Sequence, residues 1–163
     1  MRNVSETRWL DEGEQRSWRA FLLASRRLLD TLDREMQRDA GMPHAYYEIL
    51  VRLSEAPDRA LRMSELAGSL LSSRSRLSHA VTRLEESGWV VRRSCPGDRR
   101  GSFAVLTDQG YAVLAAAAPG HVTGVRAHLI DQLAPGQLDQ LREISEVVLR
   151  HLDEVDGSAG AVP

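Results

Sequence analysis

Lysine is absent from this chain of 163 residues: all 21 of its cationic side chains are arginines, set against 23 acids. Arginine stays charged at any working pH and can hold a carboxylate, a phosphate or a guanine edge through two parallel hydrogen bonds. Cysteine is almost absent too, with Cys95 alone, which excludes an internal disulfide and a multi-cysteine metal site and fits a reducing compartment. No run approaches the roughly 18 consecutive apolar residues that would span a bilayer, and no basic-then-apolar leader opens the sequence. A soluble, cytoplasmic protein with no membrane partner is expected. Catalytic signatures are missing as well: there is no glycine-rich phosphate loop, no nucleophile motif and no paired acids in a recognisable setting. His121 and His128 stand seven apart with no further ligand at binding spacing. No enzyme, metal or cofactor is therefore expected.

The charge that is present is unevenly spread. Between Arg62 and Arg100 stand eight arginines and four acids, Glu65, Glu85, Glu86 and Asp98, a local balance of +4 inside a chain of net charge −2. The remainder carries −6, so a basic face on an acidic body is implied, and such a face suits a polyanion.

Hydrophobic spacing orders the chain into elements. From about Glu12 to Ala40, Trp18, Phe21, Leu22, Leu28, Leu29, Leu32 and Met36 recur at helical steps, with Gly41 and Pro43 as the stop. Such a helix is about 40 Å long at 1.5 Å per residue, too long to be covered by its own small domain, so an external partner is expected. A second helix from Pro43 carries Tyr46, Ile49, Leu50 and Leu53 and ends before Pro57. After a loop through Arg62, the pattern predicts a short helix over Met63–Leu70, a turn, and a helix over Arg74–Ser87 with Leu77, Val81 and Leu84 inward. Two helices so joined make a helix-turn-helix. Strands are predicted at Trp89–Ser94 and Phe103–Leu106 around a long tip containing Pro96, Gly97 and Gly101, which is a wing. Thr107 caps a helix with the stripe Tyr111, Leu114, Ala118, Val122, Val125 and Leu129, interrupted and kinked at Pro119 and Gly120. Pro135 opens a last helix with Leu138, Leu141, Ile144, Val148 and Leu152 inward.

The expected fold is thus mainly α with a small β-hairpin: a winged helix-turn-helix lobe on a helical dimerisation region. Residues 12–42 and 107–155 form the dimerisation helices, 43–106 the DNA-binding lobe and 156–163 a disordered tail, all in one unit.

The helix starting near residue 74 supplies the chemistry. Its N-terminal backbone N–H groups and dipole suit phosphate, and Ser73 stands at that end. Arg74 and Arg76 can reach phosphate or guanine O6/N7, while Ser75, Ser78, His79 and Thr82 offer hydrogen bonds from the outer face. Arg83 fits a phosphate or a neighbouring acid equally well. Arg92 and Arg93 alternate across a strand, so only one of the two can face DNA while the other faces away. At the wing tip Arg99 and Arg100 can extend toward a narrow minor groove. Cys95, in a cationic setting, is either a passive exposed thiol or a redox sensor. A crevice for a small-molecule effector, where dimer helices meet the lobe, has Trp18, Leu22, Arg26, Tyr46 and Tyr47 as candidates, with plain packing as the other role for each.

The stretch Asp98-Arg99-Arg100-Gly101-Ser102-Phe103-Ala104-Val105-Leu106-Thr107-Asp108-Gln109-Gly110 resembles the signature of the MarR family, the multiple-antibiotic-resistance regulators: an Asp, any residue, an Arg, a small residue, a short strand, then Leu-Thr and a Gly. Met63-Ser64-Glu65-Leu66-Ala67 and Val81-Thr82-Arg83-Leu84-Glu85-Glu86-Ser87-Gly88 are similar to that family's recognition unit, and the likeness runs over about residues 12–152. The resemblance implies a homodimer that binds double-stranded DNA at a pseudo-palindromic operator, often as a repressor and often released by a small ligand. It also implies that Arg100 is the inserting wing residue and that Asp98 braces the wing. Family members that sense oxidants carry a reactive cysteine in the first helix, and this chain has none there. The competing reading is a winged helix used only for protein contacts, which leaves the basic face unexplained.

Overall fold

The computed structural model describes residues 7–159 other than 71, 96 and 97; at 98–100 and 156–159 the description is of the backbone. Helix α1 spans Glu12–Ala40. Asp11 starts it with a reciprocal cap, its Oδ1 accepting from the Glu14 N–H at 2.8 Å while Glu14 Oε2 accepts from the Asp11 N–H at 2.9 Å. Gly41 stops it in the left-handed region, φ 67°, which glycine enters without steric cost. Only Leu32 and Met36 of its apolar stripe are buried, and Trp18, Phe21 and Leu29 are more than half exposed.

Helix α2, His44–Glu55, buries Tyr47, Ile49, Leu50 and Leu53. A 3-10 turn at Pro57–Arg59 leads into β1, Ala60–Arg62. The sequence predicts a loop here. A strand forms because the free edge of a neighbouring strand accepts it, with Ala60 opposite Val105, Leu61 opposite Ala104 and Arg62 opposite Phe103. Helices α3, Met63–Ser69, and α4, Arg74–Glu86, follow. Leu77, Val81 and Leu84 of α4 have at most 2% exposure and pack with Leu50, Leu53 and Leu66 into one core. Each such side chain contributes roughly 1.5–3 kcal/mol by leaving water.

The wing is β2, Val90–Cys95, against β3, Asp98–Leu106, giving a three-stranded antiparallel sheet of order β1-β3-β2. The expected long tip is shorter than the sequence implies. Ser94 pairs with Ser102 and Cys95 with Asp98, so the register breaks there and residues 99–101 are the excess on β3. A bulge of this kind keeps the ladder running while re-aiming the chain.

Helix α5, Asp108–His128, runs unbroken through Pro119 and Gly120, where the sequence predicts an interruption. A proline deletes one backbone bond, which a helix of 21 residues anchored by buried Leu114 and Ala117 retains enough others to absorb. The expected stripe is also out of phase in part, since Val122 is 54% exposed and Tyr111 44%. Thr107 caps α5 and ties it to the wing: its Oγ1 accepts from the Gly110 N–H at 3.0 Å and donates to the Gly88 carbonyl at 2.7 Å, while its N–H donates to the Trp89 carbonyl at 3.0 Å. Gly110 packs so closely that a Cβ there would lie 2.1 Å from the Trp89 oxygen.

The chain divides into two compact units, up to Gly124 and from Val125 onward. In the second, a 3-10 turn at Ile130–Gln132 precedes α6, Gln137–Ala159. Gln137 Oε1, at the first position of α6, accepts from the Ala134 N–H at 2.7 Å and ties the helix start to the preceding turn. The helix continues to Ala159, past the expected end near residue 155, so the expected disordered tail is helical over 156–159; 160–163 lie outside the described residues. Of its residues expected inward, Leu138, Ile144, Val148 and Leu152 are 47–63% exposed, and Leu141 alone is partly buried. No helix among the described residues is long and apolar enough to cross a membrane.

Candidate nucleic-acid interface

Helix α4 is two-sided. Ser73 Oγ caps it, accepting from the Arg76 N–H at 3.3 Å, and Arg74, Ser75, Arg76, Ser78, His79, Thr82 and Arg83 are all exposed on the face opposite the buried Leu77, Val81 and Leu84. Spacing of three and four residues divides the helix in this way, because 3.6 residues per turn keeps those three side chains on one stripe.

The outward residues are not equally available. Arg83 Nη1 holds Glu86 Oε2, the neighbouring acid, at 2.8 Å in a solvent-exposed pair, and this pairing raises its pKa above the ordinary arginine value. Ser78 and Thr82 are engaged by Arg92, whose Nη2 donates to Ser78 O at 2.8 Å and to Thr82 Oγ1 at 3.2 Å. Arg92 therefore faces α4. Arg93, next on the strand, is exposed.

Two open clefts flank α4. One, about 520 Å³, is lined by Arg62, Ser64, Arg74, Ser78, Arg92 and Ser102, so three arginines converge between α3, α4 and the wing. Arg62 was not among the residues the sequence singles out; its guanidinium lies 5.5 Å from the Phe103 ring, a placement that follows from β1 pairing with β3. The only sequence signal was its position at the head of the basic segment. The second cleft, about 560 Å³, brings Tyr46 beside Arg76, His79, Thr82 and Arg83.

The side chains of Asp98, Arg99 and Arg100 lie outside the described residues, and their backbone belongs to β3. Cys95 is 5% exposed, so it is a buried thiol and not the exposed one expected from its charged neighbours: the register shift between Ser94 and Cys95 takes it out of the regular alternation of β2.

The five effector candidates do not converge. Trp18 and Arg26 are exposed on α1, Leu22 is partly covered, Tyr46 stands at the cleft beside α4, and Tyr47 is buried against the His121 ring at 4.6 Å. The cavity that does form, about 230 Å³, lies between α1 and α5 and is lined by Leu32, Glu35, Met36, Met42, Val113 and His121, among others. Helical phase alone cannot find it, since α1 and α5 are some 70 residues apart in sequence. Burial and the nearby His44 ring hold His121 below the ordinary histidine pKa, with Glu48 opposing. Among the described residues, His44 Nε2 and His121 Nδ1 are buried without hydrogen-bond partners.

Among known proteins the chain is similar to Sco3205, a MarR family transcriptional regulator from Streptomyces coelicolor whose crystal structure is of its complex with DNA. The two are 55% identical, with 90% of this chain and 92% of that one covered and a TM-score of 0.86. The chain belongs to the MarR family. A second MarR family regulator from Streptomyces coelicolor, AbsC, is 44% identical over 91% of this chain and 99% of its own, with a TM-score of 0.84. The MarR family model matches residues 40–101, which hold α2, the helix-turn-helix and most of the wing. The HTH-type transcriptional regulator PecS of Dickeya dadantii (strain 3937) is 30% identical over 93 residues, 57% of this chain and 55% of that protein, so the match spans about half that relative's length. MarR proteins are transcriptional regulators and not enzymes. Within this MarR chain, the signature's Leu106-Thr107 and Gly110 have a structural explanation: Thr107 bonds the Gly88 and Trp89 carbonyls, and Gly110 packs against the Trp89 carbonyl and Leu106, which joins the base of the wing to the start of α5.

Proposed function

We propose that this MarR-family regulator binds double-stranded DNA as a homodimer at a pseudo-palindromic operator, with α4 in the major groove and the wing at the adjacent minor groove, and that it represses until a small molecule releases it. One observation carries the reading: α4 buries Leu77, Val81 and Leu84 while turning Arg74, Ser75, Arg76, Ser78, His79 and Thr82 outward, with no carboxylate before Glu85. A face that is cationic, hydrogen-bonding and free of acids is one that a phosphate backbone and base edges attract. The DNA complex of Sco3205 supports it.

Dimerisation is supported by two apolar faces that a single chain leaves in water, Trp18, Phe21 and Leu29 on α1 and Ile144, Val147 and Leu152 on α6. Exposed apolar area of that extent marks an interface. The α1–α5 cavity is the place for an effector, in preference to the five residues chosen by helical phase. Wing contacts fall to Arg99 and Arg100, braced by Asp98.

Selection from a random duplex library, followed by footprinting, tests the reading. Two protected half-sites about 10 bp apart are expected, one helical turn, as a two-fold dimer requires. No enriched duplex, or protection of a single half-site, refutes it.

A further inference from the structure

We infer that Arg92 is a positioning residue that locks the wing onto α4 and presets the hydroxyls of Ser78 and Thr82, and that it is not itself a DNA ligand. The inference rests on the DNA-binding reading above and assigns a role within it. Ser78, Thr82 and Glu85 follow one another at four and three residues, so they form one stripe along α4 facing β2. Arg92 spans that stripe from the strand. Its Nη2 donates to Ser78 O at 2.8 Å, to Ser78 Oγ at 3.3 Å and to Thr82 Oγ1 at 3.2 Å, while Nη1 lies 3.2 Å from Glu85 Oε2. The other Glu85 oxygen accepts from the Arg92 backbone N–H at 2.9 Å. One carboxylate thus grips both the main chain and the side chain of the same strand residue.

Two consequences follow for recognition. The Thr82 hydroxyl donates its only proton to Ser78 O at 3.0 Å and accepts from Arg92, so toward a base edge it can act only as an acceptor. The Arg92–Glu85 pair is also neutral, and a phosphate would have to displace a carboxylate already held in place. Both side chains are about one-third exposed, at 31% and 29%, which shields the pair from full solvent screening. A lysine has no planar fork with which to span these acceptors.

Full-length Arg92→Ala, Arg92→Lys, Glu85→Ala and Arg92→Ala/Glu85→Ala proteins are titrated by anisotropy against the duplex recovered by selection, across a salt series. Each single alanine variant is expected to weaken binding about tenfold, the scale of a lost charge-assisted hydrogen bond. The double variant should be no weaker than either single, because the two act as one unit. Arg92→Lys should not restore affinity, and the log-log salt slope should stay at the parental value. A phosphate ligand behaves differently: Arg92→Ala would make the slope shallower by about 0.9, and Glu85→Ala, by removing an acid near DNA, would bind as tightly as the parent or more so. Either result overturns the inference, as does parental affinity in Arg92→Ala. Unfolding curves of each variant accompany the titrations. Should Arg92→Ala not fold, Glu85→Gln, which keeps shape and removes charge, carries the same test by its sign: weaker binding supports the lock and tighter binding refutes it. A parent that enriches no duplex removes the DNA-binding reading and this one with it, whereas a parent that binds and variants that add independently remove this one alone.

Discussion

Replacing Gly110 by alanine tests whether the joint between the wing and α5 is as tight as the geometry implies. The new methyl would stand 2.1 Å from the Trp89 carbonyl oxygen, 2.9 Å from its carbon and 2.8 Å from Leu106 Cδ1. A leucine tip can turn aside, but a backbone carbonyl cannot move alone. The Trp89 oxygen accepts from the Thr107 N–H at 3.0 Å, and the Gly110 N–H itself donates to Thr107 Oγ1 at 3.0 Å. Relief by about 1 Å therefore breaks or lengthens two hydrogen bonds, each contributing about 1 kcal/mol, on top of an overpacking cost of about 1–3 kcal/mol. The sum, about 3–5 kcal/mol, is a large share of the roughly 5–15 kcal/mol that holds a domain folded. Urea unfolding at fixed protein concentration, so that any dimer contributes equally, measures it from the midpoint at unchanged slope. Gly68→Ala is the control: that glycine sits in α3 with nothing within 4 Å of a Cβ, and the change should be neutral or stabilising by up to about 1 kcal/mol. A Gly110→Ala loss under about 1 kcal/mol would show that the joint yields, and the account of this motif would be wrong.

Other outcomes are expected with the same definiteness. Ile144→Asp, at a residue 63% exposed in the single chain, should leave helix content intact but yield monomers in sedimentation, and a persisting dimer would exclude this face of α6 from the interface. Arg76→Ala should cost roughly 1–3 kcal/mol on the selected duplex and relax preference at one base pair per half-site; equal loss on every sequence would make Arg76 a phosphate ligand. Arg100→Ala should weaken binding to many sequences alike, with a salt slope shallower by about one. His121 titrates below its ordinary value because it is buried beside His44. The unfolded chain takes that proton near pH 6.5 while the folded chain resists it, so the stability present above that pH should fall as pH drops below it. His121→Gln should flatten this dependence in urea midpoints, and an unchanged profile would move the cause elsewhere.

Features that depend on neighbours along the chain were readable from the amino-acid order. The limits of α1 were legible because its apolar spacing is periodic along the chain and Gly41 acts within a turn of the helix end, whereas the Asp11–Glu14 cap was recognised only in the structure. The inward stripe of α4 was legible because 3.6-residue periodicity is local. The wing and Thr107 followed from turn residues and capping chemistry.

The partner of each side chain, by contrast, came from long-range packing. Strand β1 has no β-branched residue and exists because β3 offers an edge. Arg62 joined the arginine-lined cleft through that pairing, and Cys95 was buried where the register of β2 against β3 breaks. Arg83 went to Glu86 three residues away on its own helix, a choice that spacing permitted without deciding. The effector candidates failed to converge for the same reason: a helical phase tells which residues share a face, not which distant helix covers it. Arginine is the extreme case. Its guanidinium serves carboxylate, carbonyl, hydroxyl, ring and phosphate alike, so with 21 of them, no lysine and 23 acids, the clustering of charge along the chain points to a basic face while the fold alone assigns Arg92 to Glu85 and leaves Arg74 and Arg76 turned outward.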